Sequence, residues 1–289
     1  MPLPEINIYR YQDPDKGSFL MVDDPGKLLS EAEVRVRIKN EFQPASCRRT
    51  GDCIEMVFTE DPQAYQVGED MVFPVFAQNA MTYGEYSDYV NHHGCACCSL
   101  TSLLAAYRPE EYKDLRPEDT ICRVERRHFP AEIWEKNYLQ DNRYCMPVTL
   151  YGISRILMEE GVLNRYIGGF RDREAFRLIR DHLRSGRQVI IETSRVRRKN
   201  GIPVSINDRK YAGSYHTMIL LGFDAWGKVI FTDSATRDWA GQKQRLKRDR
   251  LSALINYMFP RLHGRARNLY FDHRWNTGGF ILVDGKGRP

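Results

Sequence analysis

The sequence predicts an α+β protein, in which strands come first, helices follow, and mostly antiparallel strands close the chain. Short apolar runs separated by Pro, Gly and Asp occupy residues 1–76. Apolar residues then recur every three to four positions in segments 95–107, 149–161 and 172–186. After residue 187, short β-branched runs return. This grouped order differs from the strand–helix alternation of a doubly wound parallel sheet, and the chain contains no internal repeat.

The first section is expected to be rich in strands. EVRVRIK (33–39) alternates apolar and charged residues, the period of a half-buried strand, and CIEMVF (53–58) and MVFPVF (71–76) are further strand candidates. Residues 1–70 carry no chemical motif. We therefore predict a β-rich N-terminal segment of unknown role over 1–70, followed by one larger domain over 71–289.

The helical section contains three amphipathic patterns. In the first, Leu100, Leu103, Leu104 and Tyr107 follow the i, i+3, i+4, i+7 spacing of one helix face, and Arg108-Pro109 ends the helix. TLYGISRILMEEG (149–161) repeats this spacing. DREAFRLIRDHLRSG (172–186) opens with an Asp expected to cap the helix and closes with Gly, so three helices are predicted.

The last section predicts a sheet with one well-defined hairpin. QVIIET (188–193) is a short apolar strand candidate. HTMILLGF (216–223) and KVIFTD (228–233) flank Asp-Ala-Trp-Gly, a plausible hairpin connection. RLSALINYMF (250–259) predicts a helix, and GGFILV (278–283) predicts a closing strand.

The bulk composition is that of a soluble globular protein. The 289 residues are 42% hydrophobic and 28% charged, and no apolar run approaches the roughly 18 residues of a membrane span. The opening MPLPEINIYRYQDPDKG lacks the pattern of a signal peptide. Seven cysteines, two of them adjacent, make a poor disulfide framework, so we expect reduced thiols, a cytoplasmic protein and no membrane partner. The net charge of +5 suits an anionic partner without requiring one.

The stretch NHHGCACCSLTSLLAAY (91–107) crowds three cysteines at the start of the first predicted helix. A helix N-terminus presents unpaired N–H groups and a partial positive charge, which favour the reactive thiolate. On a helical wheel, Cys95 and Cys98 lie opposite the apolar stripe and Cys97 lies on its flank. Cys95, with Gly94 before it for close backbone access, is therefore placed like a nucleophile.

A cysteine nucleophile needs a base, and the base needs an orienting partner. Among seven histidines, only His216 stands at the head of a strongly apolar strand. Asp233 ends the second strand of the predicted hairpin. Because an antiparallel hairpin folds the end of its second strand beside the start of the first, we expect His216 and Asp233 to lie close together.

These segments resemble the papain-like double-glycine peptidases, the group that processes bacteriocin leaders. CACCSLTSLL (95–104) is similar to the family's nucleophile segment, which usually reads Cys-Gly-Pro-Thr/Ala-Ser/Cys-Leu. SGRQVIIET (185–193) resembles its Gly-x-Pro-Val-Ile strand, and YHTMILLGFDAWGKVIFTDSA (215–235) resembles its Gly-His…Gly-Tyr-Asp…Asn-Asp-Pro block. The resemblance covers roughly residues 70–235. It implies a papain-like fold, in which a helical part carrying the nucleophile packs on an antiparallel β-sheet carrying His and Asp.

The resemblance assigns the nucleophile to Cys95, the general base to His216 and the orienting carboxylate to Asp233. Ala96 and Cys97 replace the family's usual Gly-Pro, and Tyr215 replaces the Gly before the histidine. Papain-like enzymes also place a Gln before the nucleophile as an oxyanion-hole donor. Here that role falls to Gln78, if YGEYSDYV is an insertion, with Asn91 as the alternative donor.

The activity implied is acyl transfer through a thioester. With water as acceptor the protein is a peptidase or amidase acting on a peptide; with an amine or thiol acceptor it is an acyltransferase, and the sequence leaves both open. We expect neither cofactor nor metal. The substrate preference and the oligomeric state are not predicted from the sequence.

Four other interpretations are possible. Cys95 and Cys98 form a C-x-x-C pair of the kind used in redox sites. His92, His93 and the three cysteines are potential metal ligands, with Cys47 and Cys53 as a second ligand pair. Residues 236–268 hold nine Lys or Arg against two Asp, and VRRKNG (196–201) adds more, which permits nucleic-acid binding although we do not predict it. The last is a papain-like scaffold that binds peptides without cleaving them, against which the intact Cys, His and Asp argue.

Overall fold

The computed structural model describes most of the chain between residue 83 and residue 260 and several strands before and after it. The described residues are 8–13, 17–23, 46–50, 53–58, 63–67, 71–76, 78, 83–128, 131, 134–135, 148–208, 210–211, 215–235, 246–260 and 278–287. The predicted strand 33–39 lies outside them. The chain divides into two compact units, one comprising Met1–Gln63 with Arg237–Gln242, and the other Ala64–Thr236 with Lys243–Pro289.

The smaller unit contains a four-stranded antiparallel sheet in the order β1-β2-β4-β3. Its strands are β1 (Ile8–Asp13), β2 (Gly17–Asp23), β3 (Ser46–Thr50) and β4 (Cys53–Phe58). The last of these confirms the strand predicted from CIEMVF. Cys47 and Cys53 lie on β3 and β4 of this unit.

The helices of the larger unit fall where the periodicity predicts them. The two-stranded sheet β5 (Gln63–Val67) and β6 (Met71–Val75) precedes them and confirms the strand predicted at 71–76. Its α-helices include α1 (Ser87–His93), α2 (Cys95–Tyr107), α3 (Leu150–Glu159), α4 (Asp172–Arg184) and α5 (Leu251–Ile255). Further helical segments are Gly84–Tyr86, Pro109–Tyr112, Pro117–Asp119, the π-helical Thr120–Glu125 and Arg126–His128. No helix in these ranges has both the length and the hydropathy to span a membrane.

The central feature of this unit is a six-stranded antiparallel sheet in the order β13-β12-β11-β8-β14-β7. Its strands are β7 (Val162–Ile167), β8 (Val189–Ser194), β11 (Tyr215–Phe223), β12 (Val229–Thr232), β13 (Leu246–Asp249) and β14 (Phe280–Lys286). A separate hairpin joins β9 (Arg197–Lys199) to β10 (Ile202–Ser205). The grouped order of strands, helices and strands, and the hairpin between β11 and β12, confirm the predicted α+β class.

Helices bury both faces of this sheet. On one side, Ala175, Ile179 and Leu183 of α4 belong to a core cluster with alternate residues of β8, β11, β12 and β14. On the other side, α2 packs against β6 and β11. Every residue of β8 is buried as a result, which explains why its first three residues, Val189, Ile190 and Ile191, are all apolar and do not alternate with polar ones.

Two predicted helix ends are wrong. The helix expected over 250–259 stops at Ile255, because the chain then extends to pair with the end of β8, where Met258 forms an antiparallel bridge with Thr193. Asp172 is the first residue of α4 and does not cap it, since the cap position is Arg171. The Asp172 carboxylate instead pairs with the buried Arg198 guanidinium at 2.6 Å. Tertiary contacts override the local signal at both places.

Candidate active site

The nucleophile candidate opens a helix that is buried on every side. All thirteen residues of α2 are buried, and Cys95 is only 4% exposed. Cys95 and Cys98, which the helical wheel places opposite the apolar stripe, are therefore both buried. The reason is that β6, β11 and the turns after residue 108 surround α2, and the small Cys, Ala, Ser and Thr side chains fit this crowded setting.

Gly94 joins α1 to α2 and permits a close backbone approach at that junction. Its N–H donates to the Val90 carbonyl at 2.9 Å, and its own carbonyl accepts from the Cys98 N–H at 2.8 Å. A Cβ at this position would lie 2.3 Å from the Val90 oxygen, far inside van der Waals contact. The glycine thus sets the position at which α2 starts, and with it the position of Cys95.

The two candidates from the hairpin meet as its topology predicts. His216 is the second residue of β11, and Asp233 directly follows β12, seventeen positions later. The Nε2 atom of His216 lies 2.9 Å from Oδ1 of Asp233. The imidazole is 2% exposed and the carboxylate 0%, so this hydrogen bond is shielded from water.

The Cys95 thiol lies within hydrogen-bond reach of the His216 ring. Because Nε2 faces Asp233, the ring nitrogen left for the sulfur is Nδ1. Thr217, the next residue along β11, adds hydrogen bonds to the same sulfur from its backbone and its side chain. No sequence signal indicates this role for Thr217. The three predicted residues thus lie next to one another as a relay, in the order sulfur, imidazole and carboxylate.

The surroundings move the two pKa values in the directions that ionise both groups. Burial raises the pKa of the Cys95 thiol, but the hydrogen bond and charge of His216, with the bonds from Thr217, outweigh it and bring the pKa below its ordinary value. Burial lowers the pKa of His216, but the charge and hydrogen bond of Asp233 outweigh it and raise the pKa to about 10. A thiolate beside an imidazolium is therefore favoured.

Asp233 is held by two further groups. The Ala235 N–H donates to Oδ1 at 3.2 Å, and the Lys247 Nζ lies 3.3 Å from Oδ2. Lys247 belongs to β13, the edge strand beside β12. No sequence signal placed this lysine at the site, because LKRD is too short and polar to be recognised as a strand.

Gln78, the predicted oxyanion donor, lies at the same place and is buried. Its N–H donates to the Ser234 carbonyl at 2.8 Å, and its side-chain oxygen accepts from the Ser234 hydroxyl at 3.4 Å. Its amide nitrogen donates to the Asn91 carbonyl at 3.0 Å. Gln78 therefore connects the residue after Asp233 to the helix before Cys95, and Asn91 contributes a backbone oxygen to this contact.

The family model described as the Peptidase_C39 like family matches residues 71–258, which is more than half of the chain and includes the whole relay. The chain belongs to the Peptidase_C39-like family. No curated protein and no solved structure matches it. The family is one of cysteine peptidase-like proteins, and the α+β fold with its six-stranded antiparallel sheet agrees with a papain-like member of it.

The other two cysteines of α2 in this Peptidase_C39-like chain take structural positions. The Cys97 thiol donates to the Pro117 carbonyl at 3.1 Å, and burial raises its pKa, so it is a poor nucleophile. Cys98 is buried in the same helix. Within the described ranges, no three His, Cys, Asp or Glu side chains are arranged to hold a metal ion.

The basic segment VRRKNG is largely engaged within the protein. Arg198 is buried, pairs with Asp172 and donates to the Ile255 and Met258 carbonyls at 2.7 and 2.9 Å. Arg197 pairs with Asp208 at 3.1 Å. These charges stabilise the link between β9, α4 and the end of α5, which weakens their value as a nucleic-acid signal. Much of the other basic segment, 236–268, lies outside the described residues.

Proposed function

We propose that the protein is a thiol-dependent hydrolase that cleaves a peptide or amide bond through Cys95, His216 and Asp233. The observation that supports this most directly is the buried relay, in which the Cys95 sulfur, the His216 ring and the Asp233 carboxylate are in contact in that order. Family membership supports the same reaction class.

In the proposed reaction, the Cys95 thiolate attacks the carbonyl carbon and forms a C–S bond. The His216 imidazolium gives its Nδ1 proton to the leaving nitrogen, the C–N bond breaks, and a thioester remains. Water then loses a proton to Nδ1 and attacks the thioester. The C–S bond breaks, the product acid leaves, and the thiolate–imidazolium pair is restored.

The oxyanion of each tetrahedral intermediate would be held by the Cys95 N–H and the Gln78 amide. The Gln78 amide nitrogen donates one of its two hydrogens to the Asn91 carbonyl in the structure, which leaves the second hydrogen for the substrate oxygen. Asn91 is the weaker candidate for the oxyanion donor, because the atom that contacts Gln78 is its backbone carbonyl oxygen and not its side-chain amide.

The substrate we propose is a peptide, as in the double-glycine group that the sequence resembles. The departures at Ala96, Cys97 and Tyr215 leave the residue preference at the scissile bond open. We place the protein in the cytoplasm, because seven cysteines with an adjacent pair fit reduced thiols better than a disulfide framework. Cys95 forms no disulfide within the described part of the chain.

The test is peptide cleavage by the full chain, read by mass spectrometry, with Cys95→Ser beside Cys122→Ser. Cys122 is a half-buried thiol whose contact to the Asp119 carbonyl a serine can preserve, so it is a matched control. We expect Cys95→Ser to abolish turnover and Cys122→Ser to retain it. Isotopically labelled water should put its oxygen into the new carboxyl group. Retained turnover in Cys95→Ser, or an acyl adduct on another residue, contradicts the proposal.

A further inference from the structure

A cavity of about 390 Å³ lies where β11 turns into β12. Its walls come from α4, from the β11–β12 turn and from the start of α5. Its volume falls in the range of cavities that hold small organic ligands. The cavity is at the opposite end of β11 from His216, about 23 Å away at the rise of an extended strand. It is therefore separate from the proposed active site.

The charged side chains of this cavity all have one sign. Arg180 and Arg184 project from successive turns of α4, and Arg250 precedes α5. No carboxylate is among the described residues that line it. Arg180 pairs with the neighbouring Asp181 at 2.7 Å, whereas Arg184 and Arg250 form no ion pair with any described residue. Three guanidinium groups around one cavity repel each other, so an anion bound between them is stabilised.

The remaining walls are aromatic and apolar. Phe176 lies one helical turn before Arg180 on α4 and is 36% exposed, and Phe223 ends β11. Trp226, next to the wall residue Gly227, is 83% exposed. Exposed aromatic side chains grouped beside a cavity are typical of a ligand-binding surface, because a planar ring can stack on them.

We propose that this cavity binds a small organic phosphate that carries an aromatic ring, the chemistry of a mononucleotide. Guanidinium groups match the geometry of a phosphate with paired hydrogen bonds. The rings of Phe176 and Phe223, which line the cavity, provide the surface for the aromatic part. Inorganic phosphate uses only the arginines, and an uncharged nucleoside uses only the rings, so each satisfies half of the site.

The test is isothermal titration calorimetry of the full chain with adenosine monophosphate, adenosine and inorganic phosphate. We expect the monophosphate to bind at least about tenfold more tightly than either of the others. The double variant Arg184→Gln/Arg250→Gln should weaken monophosphate binding by about tenfold or more. Arg177→Gln is the matched control, since Arg177 is an exposed arginine of α4 that does not line the cavity.

A second variant tests the aromatic half independently. Phe176→Ala removes a partly exposed ring that lines the cavity, so it should weaken binding of the monophosphate and leave binding of inorganic phosphate unchanged. Thermal unfolding shows whether each variant is folded. The proposal is overturned if the monophosphate does not bind. It is equally overturned if the double arginine variant binds as the parent chain does, or if Arg177→Gln weakens binding as much.

Discussion

Replacing His216 by alanine measures how far the imidazole activates Cys95. In the intact site, the hydrogen bond and charge of His216 outweigh the burial of the thiol and lower its pKa. Without the ring, burial is the largest remaining influence, and the pKa should rise above the ordinary value of about 8.5. A thiol with that pKa is about 1% ionised at pH 6.5. We therefore expect alkylation of Cys95 at pH 6.5 to slow by at least about tenfold.

The assay is pulsed labelling with iodoacetamide across a pH series, followed by peptide mapping of each cysteine. Cys97 is the internal reference, because burial raises its pKa and its labelling should stay slow in every variant. His92→Ala is the matched control, since His92 is an exposed histidine three positions before Cys95. It should leave the Cys95 rate unchanged.

Two results refute this reasoning. The first is a Cys95 labelling rate at pH 6.5 that His216→Ala does not change. The second is a midpoint near pH 8.5 for Cys95 in the unaltered chain, the value of an ordinary thiol. Either result means that no thiolate–imidazolium pair forms, and the cysteines return to packing, redox or metal-binding interpretations.

Three further predictions concern the neighbours of the relay. Gln78→Ala should lower kcat on a cleaved peptide by about 10²–10³-fold with little change in KM, while Asn91→Ala should leave kcat nearly unchanged. Lys247→Met removes a positive charge that partly neutralises the carboxylate bound to His216, so the His216 pKa should rise further. The alkaline limb of the pH–rate profile should then move to higher pH. Gly94→Ala should lower the free energy of unfolding by about 1–3 kcal/mol, measured by urea denaturation, because the new Cβ meets the Val90 oxygen.

Each of these has its own contrary outcome. A loss of kcat in Asn91→Ala equal to that in Gln78→Ala means that the side chain of Gln78 is not the oxyanion donor. If the alkaline limb of the pH–rate profile of Lys247→Met stays in place or moves to lower pH, Lys247 does not influence the pKa of His216. Gly222→Ala is the control for the glycine, since a Cβ there meets no atom within 4 Å, and equal destabilisation of both variants rejects the steric argument.

The β11–β12 hairpin and the His216–Asp233 pair that it brings together were predictable from the sequence because local signals agree there. Two apolar strands flank a turn, and an antiparallel hairpin brings its outer ends together whatever else the chain does. The contact of Cys95 with His216 was expected only through the family resemblance. Hydrophobic periodicity in a sequence does not indicate which strand the N-terminus of a helix will contact.

The missed features depend on contacts between distant segments. On a wheel, the residues of α2 suggest one exposed face, yet small side chains are equally suited to a helix covered on all sides. Residues 256–259 continue a helical pattern, but their backbone groups pair with β8 instead, as in the bond from the Ser194 N–H to the Tyr257 carbonyl at 2.9 Å. Lys247 is visible only as part of a basic segment until β13 places it beside β12.

The hydrogen bond from Gln78 to the Asn91 carbonyl has a consequence for how ready the oxyanion donor is. It uses one hydrogen of the amide and holds the plane of the group, so the second N–H is oriented before a substrate binds. A negatively charged oxygen accepts a hydrogen bond about twice as strong as a neutral one does. The fixed N–H therefore stabilises the charged transition state more than it stabilises the bound substrate.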